Sequence, residues 1–395
     1  MPRRIAIIIE RTDVALGGAE RSVSEVVAAL ADLGLKVDLL AAKGPGHADN
    51  VHVLCPHVPG KRVSLEVFAQ ALRQHLAEHR YDIVHSVLPL DFADVYQPRG
   101  GAYAEALLRH VASYPNRCWR WTKRTLAFTN RRRTQLLRAE RKLCQNPKGP
   151  VIAALSRYVA EQFAGHYQTD PRRITVILNG VAADRQTAPE TAGQLRSQIF
   201  RRLALAETAN PVLLLFAAHN FRLKGLAELI RALHLVRQGV TERPPCLLVQ
   251  GSGKARPYRR LAQRLGVEQH IVFLGPAENV QDVLSISQVG ILPTFYDPSS
   301  RFILEALAAG KPVITTVFNG AIDHFVDGRH GRVVDTPNNI QALAQAIRHF
   351  TCTTQIEKAE AAIVEDDLRA QISTARVARE LSLLYESILE KRPSA

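Results

Sequence analysis

The sequence predicts an α/β fold made of two consecutive Rossmann-like domains, each with a doubly wound parallel sheet. Short apolar runs, rich in β-branched residues, alternate with helical patterns along most of the chain. Such runs are typical of strands that are buried on both faces of a parallel sheet. The alternation occurs twice, with a polar and charged interruption between about residues 181 and 210. The length of 395 residues also suits two domains.

The first half opens with an apolar strand at Ile5–Ile9, which a polar, glycine-bearing loop follows. Next comes a helix at about Arg21–Leu33, since Val23, Val26 and Leu30 recur at helical spacing and Gly34 sits at the C-cap position. The other elements predicted for this half are a strand, a helix and a strand at Val37–Ala41, Ser64–His79 and Ile83–Val87.

The second half repeats the rhythm. Its predicted strands are Val212–Ala217, Cys246–Gln250, Ile271–Leu274, Val289–Pro293, Val313–Thr316 and Gly331–Val334. Its predicted helices are Leu226–Val236, Tyr258–Leu265, Arg301–Ala309 and a C-terminal helix at Leu368–Leu389. Two such sheets in succession each offer a ligand site at the carboxyl ends of their strands.

Composition excludes several classes of protein. Apolar residues make up 46% and charged residues 22%, which is too hydrophobic for a disordered chain. No uncharged apolar stretch approaches the length of a transmembrane helix. The apolar run near the start is only five residues long, too short for a signal peptide. The five cysteines are far apart without a CxxC pair, so we expect neither a structural zinc site nor a disulfide framework, and a cytoplasmic location.

The charge is concentrated in one segment. The chain has 51 Lys and Arg against 37 Asp and Glu, a net charge of +14. Residues 99–142 hold twelve basic residues and two acids, a net charge of +10, together with Trp119 and Trp121. This pattern favours an anionic partner such as a membrane surface, phosphate groups or nucleic acid. No helix-turn-helix, RNP or zinc signature supports nucleic acid, and a merely solvated basic face is the other alternative.

Two glycine-bearing motifs suggest phosphate binding. Gly17 and Gly18 follow the first strand and precede a helix, so their backbone can approach an anionic ligand near the helix N-terminus. A flexible surface turn is the alternative. Arg222 and Lys224 stand beside Gly225 at a strand-to-helix turn, where two cations suit a diphosphate and neutralise charge on a departing phosphate. They could otherwise be a solvated surface pair.

A third motif contains two carboxylates, Asp297 before a helix and Glu305 inside it. The loop amides and the helix N-terminus around 299–303 can donate to a phosphate. Asp297 can accept from sugar hydroxyls, and Glu305 can hold a ribose. Taken alone, Asp297 could be an N-cap and Glu305 a surface charge.

Several motifs in order resemble those of retaining glycosyltransferases of family four, from about residue 5 to 345. The most specific is the stretch Glu-Ala-Leu-Ala-Ala-Gly-Lys-Pro-Val at 305–313. The others are Gly-Gly-Ala-Glu at 17–20, Asn-Gly-Val at 179–181, the Arg222–Gly225 turn, Gly-Ser-Gly at 251–253 and Val-Phe-Leu-Gly at 272–275. The resemblance implies the GT-B fold, in which the two domains face a central cleft. The implied domains are 1–185 for the acceptor and 186–367 for the donor, with a C-terminal helix at about 368–392 crossing back.

The resemblance also implies roles for the site. Glu305 would hold the ribose of a nucleotide-sugar, Arg222 and Lys224 its diphosphate, and Asp297 its hexose. Gly17 and Gly18 would close over the diphosphate. The other implied donor-binding residues are Ser299, Ser300, Arg301, Phe302 and Ile303. The family pattern has Glu where this chain has Asp297, so the reach to the hexose is one methylene shorter. Without a DxD-type cluster we expect no metal and no other cofactor.

Within the family, the Asn220–Gly225 turn, and the 88–103 stretch with the basic segment after it, resemble members that add glucose to heptose of the lipopolysaccharide core. The implied donor is UDP-glucose, the acceptor a lipid-linked oligosaccharide, and the location the inner face of the cytoplasmic membrane. UDP-N-acetylglucosamine or another acceptor are alternatives. Asp91 is a candidate to orient the acceptor hydroxyl, or else a helix N-cap. The predicted membrane contacts are Trp119, Trp121, Lys123, Arg124, Arg131, Arg132 and Arg133.

Overall fold

The computed structural model describes residues 3–13, 17–46, 48–60, 62–126, 129–182, 187–239, 241–276 and 279–392. The chain forms two compact units. Unit 1 comprises Met1–Val111, Pro115–Val181 and Ser373–Ala395, and unit 2 comprises Ala112–Tyr114 and Ala182–Ile372. The predicted domain boundary at 185/186 lies outside the described residues.

Unit 1 is built on a seven-stranded parallel sheet. Its strands are β1 (Arg4–Arg11), β2 (Lys36–Lys43), β3 (Val51–Val53), β4 (Ile83–Ser86), β5 (Val95–Tyr96), β6 (Val151–Ala154) and β7 (Ile174–Val176). They lie in the order β3-β2-β1-β4-β5-β6-β7, so the direction of winding changes between β1 and β4. Ile7 packs into the core on one face of the sheet and Ile8 into the core on the other. This explains the unbroken apolar run of β1.

The helices of unit 1 that come before unit 2 in the chain are α1 (Gly18–Asp32), α2 (Leu65–Glu78), α3 (Tyr103–Ala112), α4 (Arg117–Leu126), α5 (Arg131–Gln145) and α6 (Arg157–Tyr167). Helix α1 begins at Gly18, three residues earlier than predicted. Helix α2 is found as predicted, because Ser64 caps it by accepting from the Val67 amide. Strands β3, β5, β6 and β7 were not predicted, since two to four residues are too few to show a period.

Unit 2 contains a six-stranded parallel sheet in the order β10-β9-β8-β11-β12-β13. These strands are β8 (Val212–Ala217), β9 (Pro245–Gln250), β10 (Ile271–Gly275), β11 (Val289–Leu292), β12 (Val313–Thr316) and β13 (Gly331–Val334). Each strand predicted for the second half is present. The winding reverses between β8 and β11, and in open α/β sheets ligands bind at that point, outside the carboxyl ends of the strands.

The helices of unit 2 are α7 (Pro189–Arg202), α8 (Leu226–Arg237), α9 (Arg256–Arg264), α10 (Val280–Ile286), α11 (Arg301–Ala308), α12 (Ile340–His349), α13 (Thr353–Glu365) and α14 (Leu368–Gln371). Short 3-10 helices occur at Pro171–Arg173 in unit 1 and at Glu268–His270 and Gly320–His324 in unit 2. Helix α7 falls in the stretch predicted to be a polar interruption. The buried residues of this helix are Ile199 and Phe200, so most of its other positions can be polar.

The single C-terminal helix predicted over 368–389 is two helices, α14 and α15 (Thr374–Glu390). The break lies at Ser373, whose side chain caps α15 by accepting from the Arg376 amide and whose backbone bridges to Val181. Helix α15 belongs to unit 1, where Tyr385 is 1% exposed and lies 2.6 Å from Nδ1 of His85 through its hydroxyl. The last helix is therefore part of the core of unit 1.

Candidate active site

The most compact group of predicted site residues lies in unit 2, at the carboxyl ends of β8 and β11. Lys224 Nζ lies 2.7 Å from Oδ2 of Asp297 and donates also to the Tyr296 carbonyl at 2.7 Å. Both side chains of this ion pair are largely buried, at 18% and 15% exposed. The two residues are 73 positions apart in sequence, so the fold brings together a cation and a carboxylate from two predicted motifs.

The backbone around Gly225 explains how Lys224 is positioned. Gly225 is the N-cap of α8 and has φ of 77°, in the left-handed region. A Cβ at this position would lie 2.0 Å from the Pro293 carbonyl oxygen. The neighbouring Leu223 carbonyl accepts from the amide of Phe295 and the hydroxyl of Thr294. The loop before α8 therefore lies directly against the segment that follows β11, which leads to Asp297.

Arg222 points to different partners from those of Lys224. Its Nη1 lies 2.7 Å from the Ser113 hydroxyl, and its guanidinium lies 3.6 Å from the centre of the Tyr114 ring. Both partners belong to the short 112–114 segment that groups with unit 2. The structure thus places Arg222 on the same turn as Lys224 without bringing it to Asp297, and diphosphate binding by Arg222 stays a prediction.

The loop between Asp297 and α11 is held by its own side chains. Asp297 Oδ1 accepts from the Ser299 amide, and Ser300 caps α11 by accepting from the Ile303 amide. Ser300 is therefore the N-cap, and Asp297 is not. The amides of Ser299 and Ile303, predicted to donate to a phosphate, are used here to shape the loop. Arg301 and Phe302 are the first two residues of the helix.

Glu305 is not a surface charge. It is 6% exposed, and its Oε1 accepts from Arg301 Nε at 2.8 Å. Both side chains of this pair are largely buried, at 13% and 8% exposed. A buried carboxylate held by a buried guanidinium has a fixed orientation and is costly to keep unless paired. This favours a binding role over a solvated charge.

Sequence reasoning missed Asn319, which supports the loop between Asp297 and α11. It is fully buried, and its Oδ1 accepts from the Ser300 and Ala321 amides while its Nδ2 donates to Thr315. The Asn319-Gly320 pair, three residues after the end of β12, is a turn signal that could have drawn attention to Asn319.

In unit 1, the predicted diglycine lies at the start of α1. Gly17 is the N-cap, and Ser22 in the second turn of the helix has a hydroxyl that accepts from Arg99 Nη1 at 3.0 Å. The same Nη1 donates to Oδ1 of Asn179 at 3.1 Å. Arg376 of α15 donates to the carbonyl of Asn179 at 3.2 Å. The sequence analysis did not predict roles for Arg99, which connects α1 to the Asn-Gly-Val motif, or for Arg376, which connects that motif to α15.

Asp91 is not placed with these residues. It is exposed and accepts from Arg73 at 3.5 Å and Lys142 at 3.4 Å. Both cations lie in the second halves of α2 and α5, whose chains run toward the amino ends of the strands. The segment after β4 turns back in the same direction, since the Asp94 amide donates to the Val84 carbonyl.

The basic segment 99–142 exposes its tryptophans and buries its acids. Trp119 and Trp121 on α4 are 56% and 69% exposed. Glu105 and Glu140 are 7% and 0% exposed, with partners inside unit 1. Arg132 is also engaged inside unit 1, where it pairs with Glu10 and donates to the Val63 carbonyl. Exposed basic residues of the segment are Arg124, Arg131, Arg138, Arg141 and Lys142.

Glu140 is held by three donors. The hydroxyls of Tyr96 and Tyr167 and the Tyr103 amide donate to its carboxylate. Burial raises the pKa of Glu140 to about 7, although the hydrogen bonds from the tyrosines and the amide oppose the shift. The exposed face of α5 therefore carries basic residues, while its acid lies within unit 1.

In the described part of the chain, no helix has the length and apolarity needed to cross a bilayer. Within the same ranges, no cluster of three or more His, Cys, Asp or Glu side chains could hold a metal ion. Metal independence stays a prediction.

Two family models match the chain, in the order of the two units. The model described as Glycosyltransferase Family 4 matches residues 16–185, and the model described as Glycosyl transferases group 1 matches residues 210–352. With its two parallel Rossmann-like sheets, the protein is a glycosyltransferase of the GT-B type. The two models together cover most of the chain, which belongs to the family-four glycosyltransferases. The expected fold and family are confirmed.

Relatives and solved structures agree with this. Lipopolysaccharide glucosyltransferase WaaG of Escherichia coli is 26% identical over 278 residues, 70% of each chain. A D-inositol 3-phosphate glycosyltransferase of Corynebacterium kroppenstedtii is 26% identical over 269 residues, 64% of this chain and 57% of its own. The WaaG crystal structure has a TM-score of 0.67 at 23% identity over 98% of both chains. HepE of Anabaena with UDP-glucose has a TM-score of 0.73 at 18% identity, covering 97% of this chain and 99% of its own.

Proposed function

We propose that this glycosyltransferase moves glucose from UDP-glucose to a lipid-linked saccharide at the cytoplasmic face of a membrane, with retention of anomeric configuration and without a metal. One relative is named a lipopolysaccharide glucosyltransferase, and one structural neighbour was solved with UDP-glucose. The observation that carries the donor half is the buried Lys224–Asp297 pair at the carboxyl edge of unit 2.

In this proposal Lys224 binds the diphosphate of the donor. Its ammonium sits on a turn that Gly225 holds rigidly, so little reorganisation is needed when charge grows on the leaving UDP. Arg222 supplies a second cation by turning from Ser113 and Tyr114. Asp297 accepts from hydroxyls of the hexose, and Glu305, oriented by Arg301, accepts from the ribose.

Retention is achieved by substitution on one face of the sugar. The acceptor oxygen bonds to the anomeric carbon as the bond to the phosphate oxygen breaks, and that phosphate oxygen takes the acceptor proton. Two side-chain cations do the work that a metal does in other transferases, by neutralising the leaving diphosphate. Asp91 is given no role in this step, because its partners are Arg73 and Lys142.

The test of the donor site compares two lysines that each pair with an acid in unit 2. Lys224→Ala should lower turnover with UDP-glucose by roughly 100- to 1,000-fold, the usual effect of losing one charge-stabilising donor. Lys311→Ala is the matched control, since Lys311 pairs with Glu360 at 2.9 Å and is 24% exposed. Equal losses in both variants, or wild-type turnover in Lys224→Ala, would contradict the proposal.

The membrane half of the proposal rests on the exposed face of the basic segment. A soluble nucleotide-sugar must meet a lipid-anchored acceptor at the membrane surface. Each Lys or Arg near an anionic surface contributes about 1 kcal/mol, so four exposed charges suffice for reversible attachment. Trp119 and Trp121 suit the headgroup level.

Vesicle co-sedimentation tests this half. Arg131, Arg138 and Arg141 are changed to Gln; the internally paired Arg132 is left intact. Binding to anionic vesicles should fall, and wild-type binding should weaken with salt. The matched control removes three exposed charges elsewhere in unit 1, at Lys36, Arg80 and Lys148. Equal binding of the wild type to neutral and anionic vesicles would refute the electrostatic account.

A further inference from the structure

A second basic surface lies in unit 2, on α9. The stretch 254–264 holds five basic residues and no acid. Arg256, Arg260 and Arg264 are spaced four residues apart, so they share one face of the helix. All three are exposed. We call these three residues the α9 basic face.

Unlike Arg301 and Lys224, the residues of the α9 basic face have no acidic partner among the residues that the structure describes. Their one side-chain hydrogen bond there is within the face, from Arg264 Nε to the Arg260 carbonyl. The opposite side of α9 attaches the helix to the unit. Tyr258 packs edge-on against Phe221, and Arg259 lies over the Phe273 ring. The helix is thus anchored by one side and presents unneutralised charge on the other.

The surface between these arginines is concave. A depression there is lined by Arg256, Pro257, Arg260, Gln263 and Arg264. A phosphate group in this depression could accept from several guanidinium groups at once, and guanidinium–phosphate hydrogen bonds are strong because both partners are charged. We propose that the α9 basic face docks on the headgroup phosphates of an anionic phospholipid surface, separately from the segment 99–142.

The chemistry of the face favours lipid over other polyanions. Proteins that bind single-stranded nucleic acid combine charge with exposed aromatic rings on which bases stack, and the aromatic ring of α9, Tyr258, packs inward against Phe221. Stable protein partners need large apolar or aromatic anchors. Around the three arginines the depression offers only Pro257 and Gln263. A face of charge alone suits a fluid surface that holds many phosphates.

The experiment removes the face while keeping the helix. Arg256, Arg260 and Arg264 are changed to Gln, which is nearly as good a helix former as Arg. At about 1 kcal/mol for each charge, the loss is roughly five-fold per arginine and roughly 100-fold for three. The control variant removes three basic residues that lie on three other helices of unit 2, at Arg201, Arg237 and Lys358. Both variants have the same net charge.

Binding to vesicles of phosphatidylglycerol and phosphatidylcholine is measured by co-sedimentation for the wild type and both variants. The proposal expects the α9 variant to bind roughly 100-fold more weakly and the control to bind much better than that variant. Thermal unfolding checks that the variants fold. Equal loss in the control, unchanged binding in the α9 variant, or stronger retention of the wild type by single-stranded RNA at the same salt would overturn it.

The α9 proposal rests on the membrane association in the proposed function, so the α9 basic face and the segment 99–142 are tested side by side. The α9 changes are also made in the Arg131, Arg138 and Arg141 variant. If only the changes on α5 reduce binding, the α9 proposal fails and the membrane proposal for 99–142 stands. If only the changes on α9 reduce binding, the reverse holds. Turnover with a soluble acceptor reports on the donor site independently of either surface.

Discussion

Replacement of Gly225 by alanine should damage unit 2 more than its backbone angle alone explains. A Cβ would lie 2.0 Å from the Pro293 carbonyl oxygen, and Cβ contacts under 3.0 Å essentially do not occur. The start of α8 must therefore move about 1 Å from the end of β11. Left-handed backbone costs about 1–2 kcal/mol in alanine, and overpacking adds about 1–3 kcal/mol. We expect Gly225→Ala to lower the free energy of unfolding by about 2–5 kcal/mol.

Gly310→Ala provides the control for the backbone term. Gly310 has φ of 74°, almost equal to the 77° of Gly225, and no atom lies within 4 Å of a Cβ built there. This variant should lose only the left-handed penalty of about 1–2 kcal/mol. Both glycines are in unit 2, so urea unfolding of the same unit reports on both.

The same displacement should reach the donor site. Lys224 directly precedes Gly225, and a shift of about 1 Å in a positioned group can cost roughly 100-fold in rate. Turnover should therefore fall by roughly that factor in Gly225→Ala and stay near wild type in Gly310→Ala. If the two alanine variants lose the same stability and the same activity, the close approach to Pro293 does not govern the site, and the reasoning is refuted.

Three other outcomes are expected. Arg222→Ala should reduce turnover by roughly 30- to 1,000-fold. EDTA should leave wild-type turnover unchanged, and loss of turnover that magnesium restores would contradict metal independence. Asp297→Ala should impair transfer more than UDP binding, and Glu305→Ala should weaken the binding of UDP itself. Calorimetry measures the UDP affinity and kinetics the turnover, and the reverse pattern would contradict the proposed position of the donor. The pKa of Glu140 is raised to about 7 in the folded protein, so the folded state binds more protons than the unfolded state between about pH 4.5 and 7. Stability of the wild type relative to Glu140→Gln should therefore fall as pH rises through that window, by up to about 3 kcal/mol, and an unchanged difference would refute the assignment.

The fold could be predicted where strands are long and buried on both sides. Strands β1 and β8 appear in the sequence as unbroken apolar runs because helices cover both faces of each sheet. Strands β3, β5, β6 and β7, of two to four residues, were missed, although four other strands of four residues were predicted. The break before α15 was missed for another reason. Helical spacing continues across residues 368–389, and the cap at Ser373 depends on a bridge to Val181, far away in the chain.

The candidate site could be predicted where its chemistry is local. Lys224, Asp297 and Glu305 stand in short motifs after strands, so their residue types and neighbours were enough to select them as candidates. The contacts that join distant motifs within unit 1 could not be found this way. Arg99 reaches Asn179 across 80 positions and Arg376 reaches it across 197, and these pairings exist only in the folded chain. Asp91 differs from these residues, since its local context was suitable but its partners are Arg73 and Lys142 and the chain carries it toward the amino ends of the strands.

Folding also changes how far the two acids of the basic segment offset its positive charge. In sequence, Glu105 and Glu140 partly offset twelve basic residues. In the structure both acids are buried, Glu105 between Arg109, Tyr158 and His166 and Glu140 among tyrosines. Glu105 still pairs with Arg109 of the same segment, whereas Glu140 has no such cation among its donors and is partly protonated near neutral pH because burial raises its pKa. Burial of Glu140 therefore leaves the exposed face of α5 with less compensating negative charge than its composition implies, which favours the proposed docking on an anionic surface. Because Glu140 lies inside unit 1, changing it to Gln should alter stability while leaving vesicle binding unchanged.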